Sequence, residues 1–451
     1  MLKCLFGEQR LLLTSPQALS ELLVKREADF VKPETARIFL QRLIGDGLLS
    51  LERQTHRRHR KVINRAFQPR HIKDMYSTMW SKCTTLVDCL KEETLQRVES
   101  GTGLTTVNFT HWASRVSLDI IGLTSMRHDF DTLHNHKHQL IQHYDAVFEP
   151  SVAKRIFLQI NMLLPQRLIM KIPIKLNRFM IEGPGYLHDL CRSSVTRRRD
   201  QLESHDIKSD HLDDLLSVMI RSKELEEQET IDQMRTFLSV GHDTTASSGG
   251  WAMYLLCKNP LIKARLCAEL DENGPYDVPD ICRRLESLPL LNAICNETLR
   301  LYPALPITVR EAACDTRILD TIVPKGTWVI MSPWAINRSR AIWGDRANDF
   351  RPDAWLTAEP GTGKVHVNNH GGASHAFSQI SFLHGPRICI GEKFARAELR
   401  CLVAAMALHF DFELADPDEE KTHAGVFTAR PNGGIILKLK RRRETDSHSG
   451  I

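Results

Sequence analysis

Long uncharged apolar runs are missing from this sequence. One of them, Cys401–Leu408, is soon interrupted by His409 and falls well short of the roughly 20 residues that a membrane-spanning helix needs. The first ten residues contain Lys3, Glu8 and Arg10, so they lack the apolar centre of a secretory signal peptide. We therefore expect that the chain as given carries no membrane anchor.

Nucleotide-binding loops and paired metal-binding cysteines are also absent from the sequence. There is neither a Gly-x-Gly-x-x-Gly motif nor a Walker loop, so a nicotinamide or other nucleotide would have to be bound by a partner. The eleven cysteines include no Cys-x-x-Cys pair, which disfavours a zinc site and a secreted disulfide framework and fits a reducing compartment. The formal net charge is only +5, which argues against nucleic-acid binding by charge alone.

Helical periodicity dominates what the sequence does contain. With 451 residues and 42% hydrophobic side chains the chain can bury a large core, and no repeat or Gly/Ser/Pro-rich linker divides it. We predict a mainly α fold with small β-sheets, in a single large domain spanning residues 1–451 with a disordered tail at 440–451. Short strands are predicted at Thr327–Met331 and Gly434–Leu439. The predicted helices are Pro16–Arg26, His56–Phe67, Met75–Val98, Thr110–Leu123, Glu224–Lys258, Pro260–Asn273, Leu290–Leu301 and Glu392–Phe410.

A cysteine loop lies immediately before the last of these helices. An anionic sulfur is stabilised by the free N–H groups and positive dipole end of a helix N-terminus, and Cys389 stands just before such an end. Arg387 can reach a carboxylate on a bound ligand, and Phe382 can shield the sulfur from water. A buried structural cysteine is the alternative interpretation, but chance does not readily produce five residue types at these offsets. They are Phe382, Gly385, Arg387, Cys389 and Gly391.

At these residues the sequence resembles the cytochrome P450 family of haem-thiolate monooxygenases, whose signature is Phe-x-x-Gly-x-Arg-x-Cys-x-Gly. The resemblance implies the cytochrome P450 fold, haem b as cofactor and Cys389 as the axial ligand of its iron. A thiolate ligand donates electron density to the iron and favours O–O cleavage. The similarity extends over nearly the whole chain, from the strand-like Arg10–Thr14 to the C-terminal sheet.

A second motif lies inside the longest predicted helix, at Val240–Thr245. Glycine and threonine are unfavourable within a helix, and a threonine can bond back to the carbonyl one turn earlier and open a bend. The segment resembles the oxygen-activation motif of the family, with Val240 in place of alanine, and this implies that Asp243 and Thr244 relay protons. Taken alone, the same segment would be an ordinary helix with polar surface residues.

A structural ion pair is implied by Glu297 and Arg300, which an i,i+3 spacing places on one helix face. The surrounding helix resembles the family's, in which this pair is buried. The family usually adds an arginine from a later segment, but here Ala354 stands at that position. We therefore expect Glu297 to lack one hydrogen-bond donor, because Arg351 points elsewhere, and a half-satisfied buried network is unfavourable.

Further cofactor contacts are implied by the resemblance. His56 replaces the tryptophan of a family helix motif and lies one turn before Arg60, so both can face a haem propionate; Arg310 resembles another propionate ligand. Basic residues on the same helix and after the cysteine loop would form a face that docks an acidic flavoprotein reductase, whereas the opposing interpretation is a nucleic-acid cluster. These residues are Arg57, Arg58, Lys61 and Lys393.

The resemblance implies the reaction RH + O2 + NADPH + H+ → ROH + H2O + NADP+, with electrons from a separate NADPH-cytochrome reductase. The predicted pocket is mostly apolar, so we expect a hydrophobic small-molecule substrate and no nucleic-acid partner. The predicted lining residues are Phe237, Val240, Ala304, Ile307, Thr308 and Phe427.

The style of the sequence resembles filamentous-fungal enzymes of secondary metabolism. Family members act at the cytosolic face of the endoplasmic reticulum, with peripheral membrane contact, but without an anchor the chain could instead be cytoplasmic.

Two alternative functions stay open: a haem-thiolate isomerase or dehydratase that uses no O2, and a degenerate haem-binding protein. A histidine cluster, His134, His136, His138 and His143, is interpreted as solvated surface and not as a metal site.

Overall fold

The structure is a computed structural model in which helices surround one long central helix. It describes residues 2–3, 9–98, 105–149, 151–163, 169, 175–204, 214–276, 278–425 and 428–442. The α-helices are α1 (Pro16–Ser20), α2 (Glu34–Ile44), α3 (Arg53–Ile63), α4 (Pro69–Val98), α5 (Phe109–Met126), α6 (Gln139–Phe148), α7 (Val152–Leu163), α8 (Lys175–Glu203), α9 (Leu215–Ser222), α10 (Glu227–Lys258), α11 (Pro260–Glu272), α12 (Ile281–Ser287), α13 (Pro289–Leu301), α14 (Pro333–Ile336), α15 (Arg340–Trp343) and α16 (Glu392–His409).

The strands form small sheets at the edge of this helical body. They are β1 (Leu2–Lys3), β2 (Gln9–Leu13), β3 (Phe30–Val31), β4 (Thr105–Asn108), β5 (Thr308–Ala312), β6 (Thr316–Ile318), β7 (Thr321–Val323), β8 (Trp328–Met331), β9 (Leu356–Ala358), β10 (Val365–Val367), β11 (Phe410–Leu414) and β12 (Ile436–Arg441). One sheet has the order β1-β2-β8-β5-β3 and another the order β11-β12-β4, while β6-β7 and β9-β10 are two-stranded. In the first sheet β2 and β8 run parallel, with Leu12 opposite Ile330.

The central helix α10 begins with a capping box, in which the side chains of Glu226 and Glu229 each accept a backbone N–H of the first turn. It packs against α5, α8 and α16. Gly249 allows the close approach of α16, because a Cβ at this position would lie 2.5 Å from Leu402 Cδ2. The buried side chains around α10 form one continuous core, so the position of this helix is fixed from several sides.

The mainly α prediction with small sheets in one domain is confirmed, and the predicted helices are all present with shifted ends. The predicted first helix continues past α1 as a π-helical turn, Glu21–Lys25. The prediction of a tail from residue 440 is wrong at its start, because β12 extends to Arg441 and Arg442 donates to the carbonyl of Ala407. Residues 443–451 lie outside the described residues. Among the described helices, none combines the length and the apolar character needed to cross a bilayer.

Candidate active site

The cysteine loop is built by a tight turn that precedes α16. Gly385 has φ +73°, and a Cβ there would collide with the carbonyl oxygen of Leu23, so the turn requires glycine. The Cys389 amide donates to the Phe382 carbonyl at 2.8 Å, which closes the loop. The Cys389 side chain is exposed to solvent. Protein atoms nevertheless surround it closely enough to raise the pKa of its thiol.

Two groups beside the Cys389 sulfur stabilise its anionic form. Burial raises the pKa of the Cys389 thiol to about 11, while the Gly391 amide, which donates to the sulfur, and the charge of Arg60 both oppose this rise. Arg60 Nη1 donates to the carbonyl of Ile388 at 2.7 Å, so its charge is held beside the loop. The Phe382 ring lies under the guanidinium of Arg396, at 5.0 Å from its centroid. That Phe382 covers the sulfur remains a prediction.

Basic side chains converge next to this loop from four parts of the chain. Arg387, predicted to reach a ligand carboxylate, also donates to the carboxylates of Glu27 and Glu52 and to the Leu51 carbonyl. Arg310 is 6% exposed, and burial lowers its pKa to about 10. Burial and the charge of Arg387 lower the pKa of His56 to about 3, so this histidine is neutral.

Lys32 is a member of this cluster that sequence reasoning missed. Burial and the charge of Arg310 lower its pKa to about 7, against the attraction of Glu52, whose carboxylate lies 3.7 Å from Lys32 Nζ. Lys32 lies on no amphipathic helix and in no motif, so the only signal in the sequence is a lysine directly before Pro33. Glu27 and Glu52 were missed for the same reason.

The acid and the alcohol of the second motif lie side by side in sequence but do not bond to each other. Thr244 Oγ1 donates to the Val240 carbonyl at 2.9 Å, which confirms the predicted bond to the preceding turn. Asp243 is buried and forms an ion pair with Arg430, and Thr428 donates to its Oδ2 at 2.6 Å. The relay prediction is therefore corrected in one respect: in this arrangement the Asp243 carboxylate is engaged away from Thr244.

The predicted gap at Glu297 is wrong. Arg300 donates to both carboxylate oxygens at 2.7 Å, the backbone amide of Arg351 donates to Oε1, and the indole of Trp355 donates to Oε2 at 2.8 Å. Each oxygen thus accepts two hydrogen bonds without an arginine at position 354. Arg300 also donates to three backbone carbonyls of the following segments, those of Asn337, Ala347 and Asp349.

The predicted basic docking face is only partly free. Arg58 forms an ion pair with Glu229, and Arg57 lies 3.8 Å from Glu27, so two of the four charges are opposed by carboxylates. Lys61 and Lys393 are exposed. The interpretation of the histidine cluster as solvated surface is wrong for His143, which is buried, whereas His134 and His136 are exposed. Within the described part of the chain, no group of three or more potential metal ligands occurs.

The predicted pocket residues lie on α10 and after α13. Phe237 is buried, with its ring centroid 5.7 Å from that of Phe67, and Ile307 is 59% exposed. The Ala304 carbonyl accepts a hydrogen bond from Ala429, which connects the segment after α13 to the C-terminal region. Phe427 lies outside the described residues.

Comparison with known proteins assigns the family. The family model described as cytochrome P450 matches residues 3–438. The chain is 38% identical to cytochrome P450 monooxygenase sphH of Aspergillus fumigatus, over 96% of this chain and 79% of that protein. It is 37% identical to cytochrome P450 monooxygenase ptmK of Penicillium ochrochloron, over 97% and 85%. It is 33% identical to cytochrome P450 monooxygenase FUM15 of Gibberella moniliformis, over 96% and 80%. The chain therefore belongs to the cytochrome P450 family and is a haem monooxygenase whose iron is bound by a cysteine.

Proposed function

We propose that this enzyme inserts one oxygen atom of O2 into a hydrophobic small molecule of fungal secondary metabolism, with Cys389 as its iron ligand. The observation that carries the proposal is the position of the Cys389 sulfur, which accepts the Gly391 amide and lies beside a buried cluster of cations. Haem supplies the iron at which O2 is reduced. The remaining chemistry depends on side chains of this chain.

The role of the cysteine loop is to hold the sulfur as a thiolate. Coordination to a metal removes the proton even from a thiol whose pKa burial has raised, and the Gly391 amide and Arg60 both stabilise the resulting anion. Arg60 is in turn fixed by the carbonyl of Ile388. The ring of Phe382, held by Arg396, would limit the access of water to the sulfur.

The charges of the neighbouring cluster fit a ligand with two carboxylates. Its cations are Lys32, Arg60, Arg310 and Arg387, and its carboxylates are Glu27 and Glu52. With Lys32 protonated the cations outnumber the carboxylates, and a haem b molecule carries two propionates. We infer that Arg60, Arg310, Arg387 and Lys32 hold the propionates, with neutral His56 as a hydrogen-bonding neighbour.

On the central helix α10, Asp243 and Thr244 would supply the protons that the reaction consumes. The support is their place on α10 and the bond of Thr244 to the carbonyl of Val240. Their use requires that Asp243 leave its present partners. The complete set of hydrogen bonds at Glu297 removes one motive for the alternative of a degenerate haem-binding protein.

The partner and location are also proposals. A reductase that accepts electrons from NADPH is required because the chain has no nucleotide loop, and exposed Lys61 and Lys393 would contribute to its docking site. The apolar side chains Phe237 and Ile307 favour a hydrophobic substrate. We propose the cytosolic face of the endoplasmic reticulum, with peripheral membrane contact, and cytoplasmic placement as the alternative.

Isotope labelling tests the proposed function. The haem-loaded enzyme, a fungal NADPH-cytochrome reductase and NADPH are incubated under 18O2 with a panel of terpenes, fatty acids and aromatic polyketides. We expect at least one product that carries a single 18O atom and that forms only with NADPH. Products that form without NADPH and without O2 would instead establish an isomerase or dehydratase and refute the proposal.

A further inference from the structure

The guanidinium of Arg387 binds three acceptors that come from two distant parts of the chain. Its Nε donates to Glu27 Oε1 at 3.1 Å, its Nη1 donates to the Leu51 carbonyl at 2.7 Å, and its Nη2 donates to Glu52 Oε2. The side chain of Arg387 is 8% exposed, and those of Glu27 and Glu52 are 16% and 14% exposed. Hydrogen bonds between charged groups that water reaches poorly are strong, so the direction of this guanidinium is set from outside the cysteine loop.

The three acceptors leave part of the Arg387 guanidinium unused. A guanidinium has five N–H groups in one plane, and these acceptors take one on each nitrogen. Among its hydrogen bonds to described residues, one N–H on each terminal nitrogen is therefore left over. A single carboxylate that binds arginine in the bidentate way accepts two such groups. Arg387 can thus bind one carboxylate of a cofactor while it keeps all three partners.

The charges of the two glutamates act against the binding of an anion at Arg387. Glu27 and Glu52 bring two carboxylates to one guanidinium, and a propionate at the same guanidinium would be repelled by both. Through their charge alone, the glutamates would weaken the binding of the cofactor. A favourable effect must therefore come from the direction that they give to the N–H groups of Arg387. The two effects have opposite signs, so an experiment can separate them.

The backbone next to Glu52 is strained where these contacts meet. Glu52 precedes α3 as its N-cap residue, yet its side chain accepts no N–H from the described first turn of that helix. It accepts instead from Arg387 and from the backbone amide of Lys32, the latter at 3.2 Å. The next residue, Arg53, has φ +53°, a left-handed conformation that is unfavourable for residues with a side chain. Such strain persists where surrounding contacts enforce it, and it is common at ligand sites.

We propose that Glu27 and Glu52 are positioning residues, which together hold Arg387 so that its two remaining N–H groups bind one haem propionate. We call these two glutamates the carboxylate clamp. The inference rests on the proposed role of Arg387 as a propionate ligand. Glu27 lies in the turn before β3 and Glu52 at the start of α3, 360 and 335 residues before Arg387. Retention of the cofactor therefore depends on the docking of these two segments against the cysteine loop.

The test compares the variants Glu52→Ala, Glu52→Gln and Glu27→Ala with the parent holoenzyme. Transfer of haem to excess apomyoglobin gives the rate of haem release, and urea unfolding midpoints report stability. The carbon monoxide difference spectrum of the reduced protein reports the ligation of the sulfur. Asp214→Ala is the matched control, because Asp214 forms a buried ion pair with Arg198 at 2.6 Å between α8 and α9. Arg57→Met controls for the other cation near Glu27, which is exposed and lies 3.8 Å away.

The clamp predicts several-fold faster haem release from Glu52→Ala and from Glu27→Ala, because Arg387 is no longer directed at the propionate. Glu52→Gln keeps an acceptor oxygen and removes one repulsive charge, so its release rate should lie within about twofold of the parent rate. All these variants should keep the long-wavelength Soret band. Asp214→Ala should lower the unfolding midpoint and leave haem release unchanged, and Arg57→Met should change neither.

The double variant Glu27→Ala/Arg387→Met shows whether Glu27 acts through Arg387. Arg387→Met alone should release haem several-fold faster than the parent. Adding Glu27→Ala should change that rate no further, because the clamp then has no guanidinium to hold. An equal effect of Glu27→Ala in the presence and absence of Arg387 would overturn the proposal.

Slower haem release from the two alanine variants would also overturn the proposal, because the glutamates would then act by repulsion. Parent-like release from both, or a Glu52→Gln variant as fast as Glu52→Ala, would overturn it as well. Parent-like release from Arg387→Met would refute the propionate role of Arg387 together with the clamp. Fast release from Arg387→Met with parent-like glutamate variants would refute the clamp alone. Should Glu52→Ala fail to fold, Glu27→Ala and its double variant decide the question.

Discussion

Replacing Trp355 by phenylalanine tests the hydrogen-bond network around the buried ion pair. The indole N–H donates to Glu297 Oε2 at 2.8 Å, and Glu297 is 1% exposed, so the lost bond cannot be replaced by bulk water. A hydrogen bond to a charged group contributes about 1.5–3 kcal/mol. The other three donors, two from Arg300 and one from the amide of Arg351, remain in place. We expect Trp355→Phe to lower the free energy of unfolding by this amount in addition to a packing loss.

A nearby tryptophan provides the control for this experiment. The ring of Trp343 lies 6.3 Å from that of Trp355, but within the described residues its buried indole nitrogen has no hydrogen-bond partner. Trp343→Phe removes comparable ring atoms and no hydrogen bond, and it keeps an aromatic ring beside the Arg300 guanidinium, whose Cζ lies 4.8 Å from the Trp343 ring centroid. In urea unfolding, Trp355→Phe should therefore lose about 1.5–3 kcal/mol more than Trp343→Phe. Equal losses for the two variants would refute the reasoning, as would a clear stabilisation by Ala354→Arg, because the network as described has no unsatisfied oxygen to offer a new arginine.

The remaining predictions concern a buried acid, the cation cluster and the docking face. Burial raises the pKa of Glu398 to about 8 from its ordinary 4.5, so the folded protein holds a proton that the unfolded chain releases, and this contribution to stability is lost as pH rises from 4.5 to 8. As pH rises from 4.5 to 7, the free energy of unfolding of the parent should therefore fall relative to that of Glu398→Gln by up to about 3 kcal/mol, measured by urea unfolding. Parallel pH profiles of the two proteins would contradict this. Lys32→Met should transfer its haem to apomyoglobin several-fold faster than the parent, whereas Lys61→Met, at an exposed lysine, should not; equal transfer rates would remove Lys32 from the cofactor site. Lys61→Glu should raise the reductase Michaelis constant several-fold at low ionic strength and little at high ionic strength, and an unchanged constant at low salt would contradict docking at this face.

Local sequence patterns were sufficient for the helices and for the cysteine loop. Apolar periodicity located α10 and α16 to within three residues, because a helix that buries one face must repeat its apolar residues at the helical period. The loop could be predicted because Phe382–Gly391 is contiguous, and its glycine and cysteine positions satisfy local backbone and anion requirements. The end of β12 was missed because Lys440 and Arg441 look like a solvated charge run, although both are exposed residues that pair with β11 in the sheet.

The partners of the site residues could not be predicted because they come from distant parts of the chain. Arg430 follows Asp243 by 187 residues, and no pattern within α10 indicates that a C-terminal arginine will neutralise its carboxylate. At Glu297 the sequence predicts a missing hydrogen-bond donor, because a sequence motif counts charged side chains and not indole or backbone donors. The indole of Trp355 and the amide of Arg351 donate to the carboxylate instead.

The most direct test of the account is the carbon monoxide difference spectrum of the reduced, haem-loaded protein. We predict the long-wavelength Soret band of thiolate ligation for the parent and for Cys314→Ser, an exposed cysteine away from the loop. Cys389→Ser should lose that band, because a hydroxyl replaces the sulfur that accepts the Gly391 amide. A Cys389→Ser protein that keeps the band unchanged would contradict the assignment of Cys389 as the iron ligand.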